Sequence, residues 1–193
     1  MRRLTIATAV TALLLGGCAA TSSGQEGTAN RASSASATAL LARYGLGGDA
    51  VAVVDQLETL GGSERPRQLK ASVRPGELQL SDGDATASLP MPADRFYLSI
   101  APYAKDTHEC YFHSLTTCQG EMSKRSVHLR IVDTGGRVLV DRETTTNANG
   151  FVGTWLPRGS SGTVEITTPE GSGAQPFTTG AEDPTCMTTL RLA

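Results

Sequence analysis

Val127-His128-Leu129-Arg130-Ile131-Val132, Asp133-Thr134-Gly135-Gly136 and Val138-Leu139-Val140 follow one another with only Arg137 between the last two blocks. Apolar residues at 127, 129 and 131 alternate with His128 and Arg130, the period of a strand with one wet face. Asp-Thr-Gly-Gly is the chemistry of a tight turn, so the stretch reads as a β-hairpin, with His128 on its solvent side. The same grammar runs outward in both directions. Upstream, Glu77-Leu78-Gln79-Leu80 alternates and meets the turn Ser81-Asp82-Gly83, Thr86 to Leu89 ends at Pro90, and Phe96 to Ala101 is stopped by Pro102. Downstream, the turn Asn147-Ala148-Asn149-Gly150 leads into Phe151 to Leu156, then come Thr163 to Thr167 and Thr188 to Leu192. Aromatic residues make up only 5% of the chain while Gly, Ser and Thr abound, which suits short strands and many turns. Seven or eight such strands fit a β-sandwich-like domain over 71–193, with the single Trp155 as its expected core anchor.

Before residue 71 the pattern changes. Leu40, Leu41 and Tyr44, then Val53, Val54, Leu57 and Leu60, recur at three and four residues, which predicts two short helices within 37–70. Gly45-Leu46-Gly47-Gly48 separates them, Asp49 is the expected N-cap of the second, and Gly61-Gly62 ends it. Their apolar stripes need a partner, either the β domain or a second copy of the chain. Residues 19–36 are almost wholly Ala, Ser, Thr and Gly, which predicts a flexible tether. Arg2 and Arg3, the apolar run Leu4 to Leu15 and then Gly16-Gly17-Cys18 read as a signal peptide over 1–18. Leu15-Gly16-Gly17-Cys18 resembles a bacterial lipobox, in which Cys18 is lipidated and anchors the mature protein to a membrane. A plain secretory signal is the alternative, and both place the protein outside the cytoplasm, where disulfides persist. The fold class expected is therefore mostly β, α+β in arrangement, with a small helical segment ahead of the β domain.

Charge narrows the function classes. With 17 Lys and Arg against 19 Asp and Glu and no basic run, nothing supports a nucleic-acid partner. No Gly-x-Ser-x-Gly elbow, His-Glu-x-x-His pair or phosphate loop is present, so the chain reads as a binding protein without catalytic residues.

The concentrated chemistry lies in Thr107-His108-Glu109-Cys110-Tyr111-Phe112-His113-Ser114-Leu115-Thr116-Thr117-Cys118, which holds two of the four cysteines and two of the three histidines. Near the C-terminus, Pro184-Thr185-Cys186-Met187-Thr188-Thr189-Leu190 adds a third cysteine beside a methionine. With Cys18 assigned to processing, three cysteines remain in the mature domain, and three is odd. One reading is a staple with a spare thiol: closing Cys118 to Cys186 is worth about 4 kcal/mol and Cys110 to Cys118 about 2.5 kcal/mol in the chain-entropy estimate. The other is a thiolate metal site with His108 and His113, where soft, low-coordinate donors suit Cu(I). Zinc is the rival metal, although close Cys-x-x-Cys pairs are missing. If 107–111 is extended, His108 and Cys110 share a face; a helical turn would instead bring Cys110 to His113. Glu109 and Glu121 are the carboxylates that would orient the histidines, and Met187 is the methionine best placed to add a thioether.

Ala71-Ser72-Val73-Arg74-Pro75, Pro90-Met91-Pro92, Phe96 to Tyr103, the 107–118 segment, Asn149 to Pro157 and Pro184 to Leu190 together resemble the CueP family of periplasmic copper-binding proteins, over a span from about Leu40 to the end. The resemblance implies copper resistance: holding copper in the cell envelope and passing it to a copper/zinc superoxide dismutase. It implies that Cys110, Cys118 and Cys186 are the copper-related thiols, with His108 and His113 nearby, and that the N-terminal part forms a homodimer. A thiol-disulfide protein that reduces Cu(II) to Cu(I), and a disulfide-stapled scaffold on a lipid tether, are the alternatives. The lipobox departs from the soluble periplasmic setting of the family and limits copper acceptors to those within reach of the tether.

Overall fold

The computed structural model describes residues 23–193, with side chains from Ser33 onward. The signal segment 1–18 with Cys18, and the first residues of the tether, lie outside the described residues. In chain order come helix α1 (Ser23–Ala42), helix α2 (Ala50–Glu58), a 3-10 turn (Gly62–Glu64) and ten strands. The strands are β1 (Lys70–Val73), β2 (Glu77–Asp82), β3 (Ala85–Pro90), β4 (Arg95–Ile100), β5 (Ser126–Asp133), β6 (Val138–Thr145), β7 (Val152–Pro157), β8 (Ser161–Thr168), β9 (Gly171–Thr178) and β10 (Cys186–Met187). They form three sheets, β1-β2-β3, β10-β4-β7 and β6-β5-β8-β9. The fold is mostly β with N-terminal helices. No helix among the described residues is long and apolar enough to cross a membrane.

The β5/β6 hairpin forms where its turn chemistry puts it. Asp133 Oδ1 accepts the backbone N–H groups of Gly135 at 3.0 Å and Arg137 at 2.9 Å, which closes the loop. Val127, Leu129 and Ile131 then face inward, and His128 and Arg130 face out. The inner face of the four-stranded sheet, with Val164 and Ile166 from β8, packs on Phe96, Leu98 and Ile100 of β4 and Val152 and Leu156 of β7. That contact is the sandwich.

β4 is buried on both sides, from Phe96 through Ile100. Its other face sends Tyr97 into a second core, built from Leu40 and Leu41 of α1, Val53, Val54 and Leu57 of α2, and Ala71, Val73, Leu78, Leu80 and Leu89 of the first sheet. The sheet carrying β4 is thus a middle layer, which is why β4 reads as a near-continuous apolar run, broken by Ser99, and not an alternating one. The apolar stripes of the helices are covered within the chain.

Four expectations change. Trp155 is not an anchor of the sandwich core: it sits on the face of β7 opposite Val152 and Leu156's contacts, half-buried against Tyr97 at 4.9 Å between ring centroids and beneath the Arg95 guanidinium. β9, Gly-Ser-Gly-Ala-Gln-Pro-Phe-Thr, carries no strand signal; its glycines and Pro176 are tolerated because it is an edge strand. At the C-terminus only Cys186 and Met187 form a strand, parallel to β4, and Arg191 makes a lone bridge to Tyr103. Lastly, α1 continues back to Ser23 through most of the stretch expected to be a tether. Ala37, Leu40 and Leu41 anchor its C-terminal half in the second core, and Ser33 Oγ accepts the N–H of Ser88 at 3.2 Å on β3. Once packing has nucleated the helix, the Ala- and Ser-rich run from residue 32 extends it cheaply, and the weaker helix formers ahead of it, Gly24 and Gly27 among them, continue it without a new nucleation cost.

One close approach connects fold to site. Gly120 N–H donates to Asn149 O at 2.7 Å, and a Cβ on Gly150, whose φ is +82°, would lie 2.5 Å from Gly120 O. Only paired glycines let the loop that follows Cys118 press on the turn that presents Phe151. Gly150→Ala therefore loses more than about 1 kcal/mol in a urea melt, the scale set for Ala in a positive-φ position that also meets backbone. Gly159→Ala, at φ +66° with nothing within 4 Å, loses less.

Candidate metal centre

The 103–122 segment has little regular structure, and neighbouring edges hold it in place. His113 O accepts the N–H of Val73 at 2.8 Å and Leu115 N–H donates to Ala71 O at 2.9 Å, so residues 113–115 extend the first sheet past β1. Cys118 N–H donates to Ser114 O at 3.0 Å, and this single helical turn points Cys118 back toward the interior. Opposite, Thr185 O and Met187 O accept N–H groups of Ser99 and Ala101 on β4, each at 2.9 Å, which fixes Cys186. The Thr185 hydroxyl joins the parts: it accepts from His113 N–H at 2.9 Å and donates to Val73 O at 2.7 Å.

Five donors converge as a result. One nitrogen or sulfur from each of His108, Cys110 and Cys118 lies within 4.8 Å of the other two, and the same holds for His113, Cys118 and Cys186. Cys118 belongs to both groups. The segment thus has no single periodicity: His108 pairs with Cys110, and His113 turns the other way, to Cys186. Among the described residues the three cysteines are free, with Cys110 Sγ 3.3 Å from Cys118 Sγ. His113 is fully buried, with Nδ1 3.7 Å from Cys186 Sγ and Nε2 2.8 Å from Glu58 Oε2. Phe151 packs tilted against the His113 ring, at 4.6 Å between centroids, and meets His108 edge-on at 6.3 Å.

Glu58, not Glu109 or Glu121, is the carboxylate that orients a histidine. Glu121 instead accepts the backbone N–H groups of Ala104, Lys105 and Asp106, where it fixes the start of the loop. Glu58 is 4% exposed, and its second oxygen accepts the Ser99 hydroxyl at 2.8 Å. The signal for it was in the sequence: Glu58 lies four residues after Val54 and one after Leu57, a carboxylate on the apolar stripe of α2. Buried carboxylates need partners, and this one has two. Met187 is buried in the sandwich core with Leu98 and Ile100. His128 is on the outer sheet face, 2.8 Å from Asp141.

The electrostatics follow from this packing. Burial alone pushes the His113 pKa down, but the Glu58 carboxylate and hydrogen bonding to the Cys110 and Cys118 sulfurs outweigh it and hold the imidazole well above its usual 6.5. The Cys118 thiol is driven far below its ordinary value by hydrogen bonds from Cys110 and Cys186, which exceed the opposing effect of burial, with His113 adding to them. Cys186 is driven up, because it shares its proton with Cys110 and Cys118 and is buried beside their charge. Cys118 and Cys186 are thus pushed in opposite directions, and Cys118 also receives the Ser114 N–H at 3.3 Å.

The residues fit a soft metal cargo. Two sulfurs and an imidazole nitrogen, dry and mutually close, match the donors that select Cu(I). His113 donates its far N–H to a carboxylate, the arrangement that fixes a ligating imidazole. His108 Nε2 is buried with no hydrogen-bond partner, a donor orphaned beside two sulfurs.

Comparisons with known proteins agree with this chemistry. The family model described as "Periplasmic copper-binding protein CueP" matches residues 52–191. A solved structure, "Crystal Structure of S.CueP", is similar over 81% of this chain and 96% of its own, at 39% identity and a TM-score of 0.76. No curated protein matches the chain.

The Glu58–His113 pair sets a pH dependence for the metal-free protein. Because the folded imidazole keeps its proton to higher pH than the unfolded one, the contribution is complete below about pH 6.5 and is lost as pH rises through the folded value. Urea melts of metal-free protein show this pair's contribution falling from pH 6 towards alkaline pH, and in Glu58→Gln that contribution shrinks.

Proposed function

The chain belongs to the CueP family of periplasmic copper-binding proteins, and from that membership we propose that it sequesters Cu(I) through Cys118, Cys186 and His113, with Cys110 and His108 completing the site. The observation that carries the reading is the buried triad of two sulfurs and one imidazole, its ligand nitrogen aimed by Glu58. Burial in an apolar pocket against Phe151 keeps water and hard ligands away from the ion, which is what a protective binder requires. Resistance follows from removing free Cu(I) from the envelope, and release to a copper/zinc superoxide dismutase is the delivery step we assign to it. Lipidation at Cys18 is the anchor that would hold the protein at the membrane surface.

A second reading draws on the Cys110–Cys118 separation. At 3.3 Å the sulfurs need to close by little more than about 1 Å to reach the length of a disulfide bond. Two thiolates that form that bond release two electrons, which reduce two Cu(II) to two Cu(I). Because that bond consumes Cys118, a triad ligand, the Cu(I) formed would be held by another, still reduced, copy of the chain.

Both readings are tested on reduced protein. In anaerobic titrations against a Cu(I) chelator, Cys118→Ser and Cys186→Ser each lose more than the roughly 10–100-fold in affinity that removal of an outer partner costs. Unchanged affinity in both variants sinks the binding reading. For reduction, a thiol count after exposure to Cu(II) falls by two per two Cu(I) formed in the wild type, and Cys110→Ser abolishes this; a wild-type count that stays at three rejects it.

A further inference from the structure

The two donor groups differ in access. His113, Cys118 and Cys186 are all buried, whereas His108 and Cys110 are half-exposed. A surface cleft of about 450 Å³ is lined by Thr107, His108, Glu109, Cys110, Tyr111 and Thr188, and a neighbouring one of about 360 Å³ by Cys110 and the edge of Cys186; Cys110 borders both and His113 neither. By exposure, an ion arriving from solution meets His108 and Cys110 before the buried Cys118, Cys186 and His113. Cys118 is the only donor common to the outer and inner groups.

We propose that the outer group, His108, Cys110 and Cys118, is a loading and unloading port, and that a single Cu(I) passes from it to the inner group, Cys118, Cys186 and His113, by ligand exchange about Cys118. The inference rests on the copper-binding reading and adds a route to it. The step balances without a redox partner. Cys118 stays bound throughout, the His108 nitrogen and the Cys110 sulfur leave as the His113 Nδ1 and the Cys186 sulfur bind, and Cys110 takes up a proton as the Cys186 thiol gives one up. His113 loses the proton on Nδ1 to solvent, and its Nε2–H remains on Glu58.

Three features of the site suit exchange over a fixed single position. His108 Nε2 is buried but unpartnered, so it binds an ion without first breaking a protein contact. His113 by contrast is held from both sides, by Glu58 at Nε2 and Phe151 on the ring, which marks it as the resting ligand. Apart from the Cys118 sulfur at 3.3 Å, the outer cysteine is backed only by a long contact from its thiol to Phe112 O at 3.5 Å, so little holds it in place. Two-coordinate and three-coordinate thiolate sites tolerate such stepwise replacement because Cu(I) accepts low coordination numbers.

Stopped-flow transfer of Cu(I) from a colorimetric chelator to reduced full-length protein, and back to excess chelator, separates route from resting site. His108→Ala slows both directions by about tenfold or more while its affinity falls by a smaller factor, since a lost port changes rates and leaves the resting ligands in place. His113→Ala does the reverse, with affinity falling by at least about tenfold and loading still fast. A His108→Ala variant that loses affinity as His113→Ala does, with loading rate unaltered, overturns the proposal, and so does one unchanged in both. Ring-nitrogen NMR of the wild type gives a check free of folding effects: at one equivalent of Cu(I), His113 Nδ1 shifts and His108 returns to its metal-free position. A His108 resonance that stays shifted at one equivalent places the ion in the outer group and rejects the route. Failure of the wild type to bind Cu(I) at all is a different result: it removes the copper-binding reading itself.

Discussion

The buried imidazole of His113 is the contact on which the other parts depend. Its Nε2 lies against Glu58 of α2, its Nδ1 against Cys186 of β10, its ring against Phe151 after the Asn147–Gly150 turn, and its backbone against Thr185 and Val73. A neutral, unpartnered imidazole and a lone carboxylate would each cost several kcal/mol in that position. Together they satisfy one another, and Ser99 satisfies the remaining carboxylate oxygen. Helix, middle sheet and both cysteine-bearing segments are therefore locked in register by one ion pair. This explains why a fold with two separate apolar cores has a polar junction between them.

How much of this was legible depends on the range of the interaction. Strands β2 to β8 announce themselves locally, through alternation or an apolar run and a turn, and Asp49 caps α2 as its position suggests, accepting Ala52 N–H at 2.9 Å. β9 does not, because its place is set by pairing with β8 and not by its own residues. Trp155 was misplaced for a related reason. Size predicts burial but not which of two faces a strand residue takes, and β7 has a core on both. The end of α1 shows the converse, since composition alone cannot distinguish a free Ala-Ser run from one continued from a packed helix.

The site was legible in its donors and illegible in its geometry. Five residues of two types, within two short segments, suffice to name a soft-metal cluster. Their division into an outer and an inner group depends on a turn at Ser114–Cys118 and on a pairing between residue 113 and residue 73, neither of which has a local signature. Glu58 is the instructive omission. Proximity in sequence favoured Glu109 and Glu121, yet the polar residue standing on an apolar stripe is the one that the fold buries.

The charge of the junction completes the argument for a cation. Metal-free, the Cys118 thiolate and the Glu58 carboxylate share the protonated His113 between them. In the proposed Cu(I) complex two protons would leave, from His113 Nδ1 and the Cys186 thiol, and one positive charge would enter, so the loaded centre would be more negative than the empty one. The buried guanidinium of Arg65, 7% exposed, lies where it senses both Glu58 and Cys118. Its pKa is pulled down by burial and back up by those two anions, in that order of size. It holds one hydrogen bond to Leu60 O at 3.1 Å and keeps another nitrogen without a partner. In the proposed copper centre that guanidinium, which has no lone pair to offer the ion, would offset part of the thiolate charge without competing for the sulfurs.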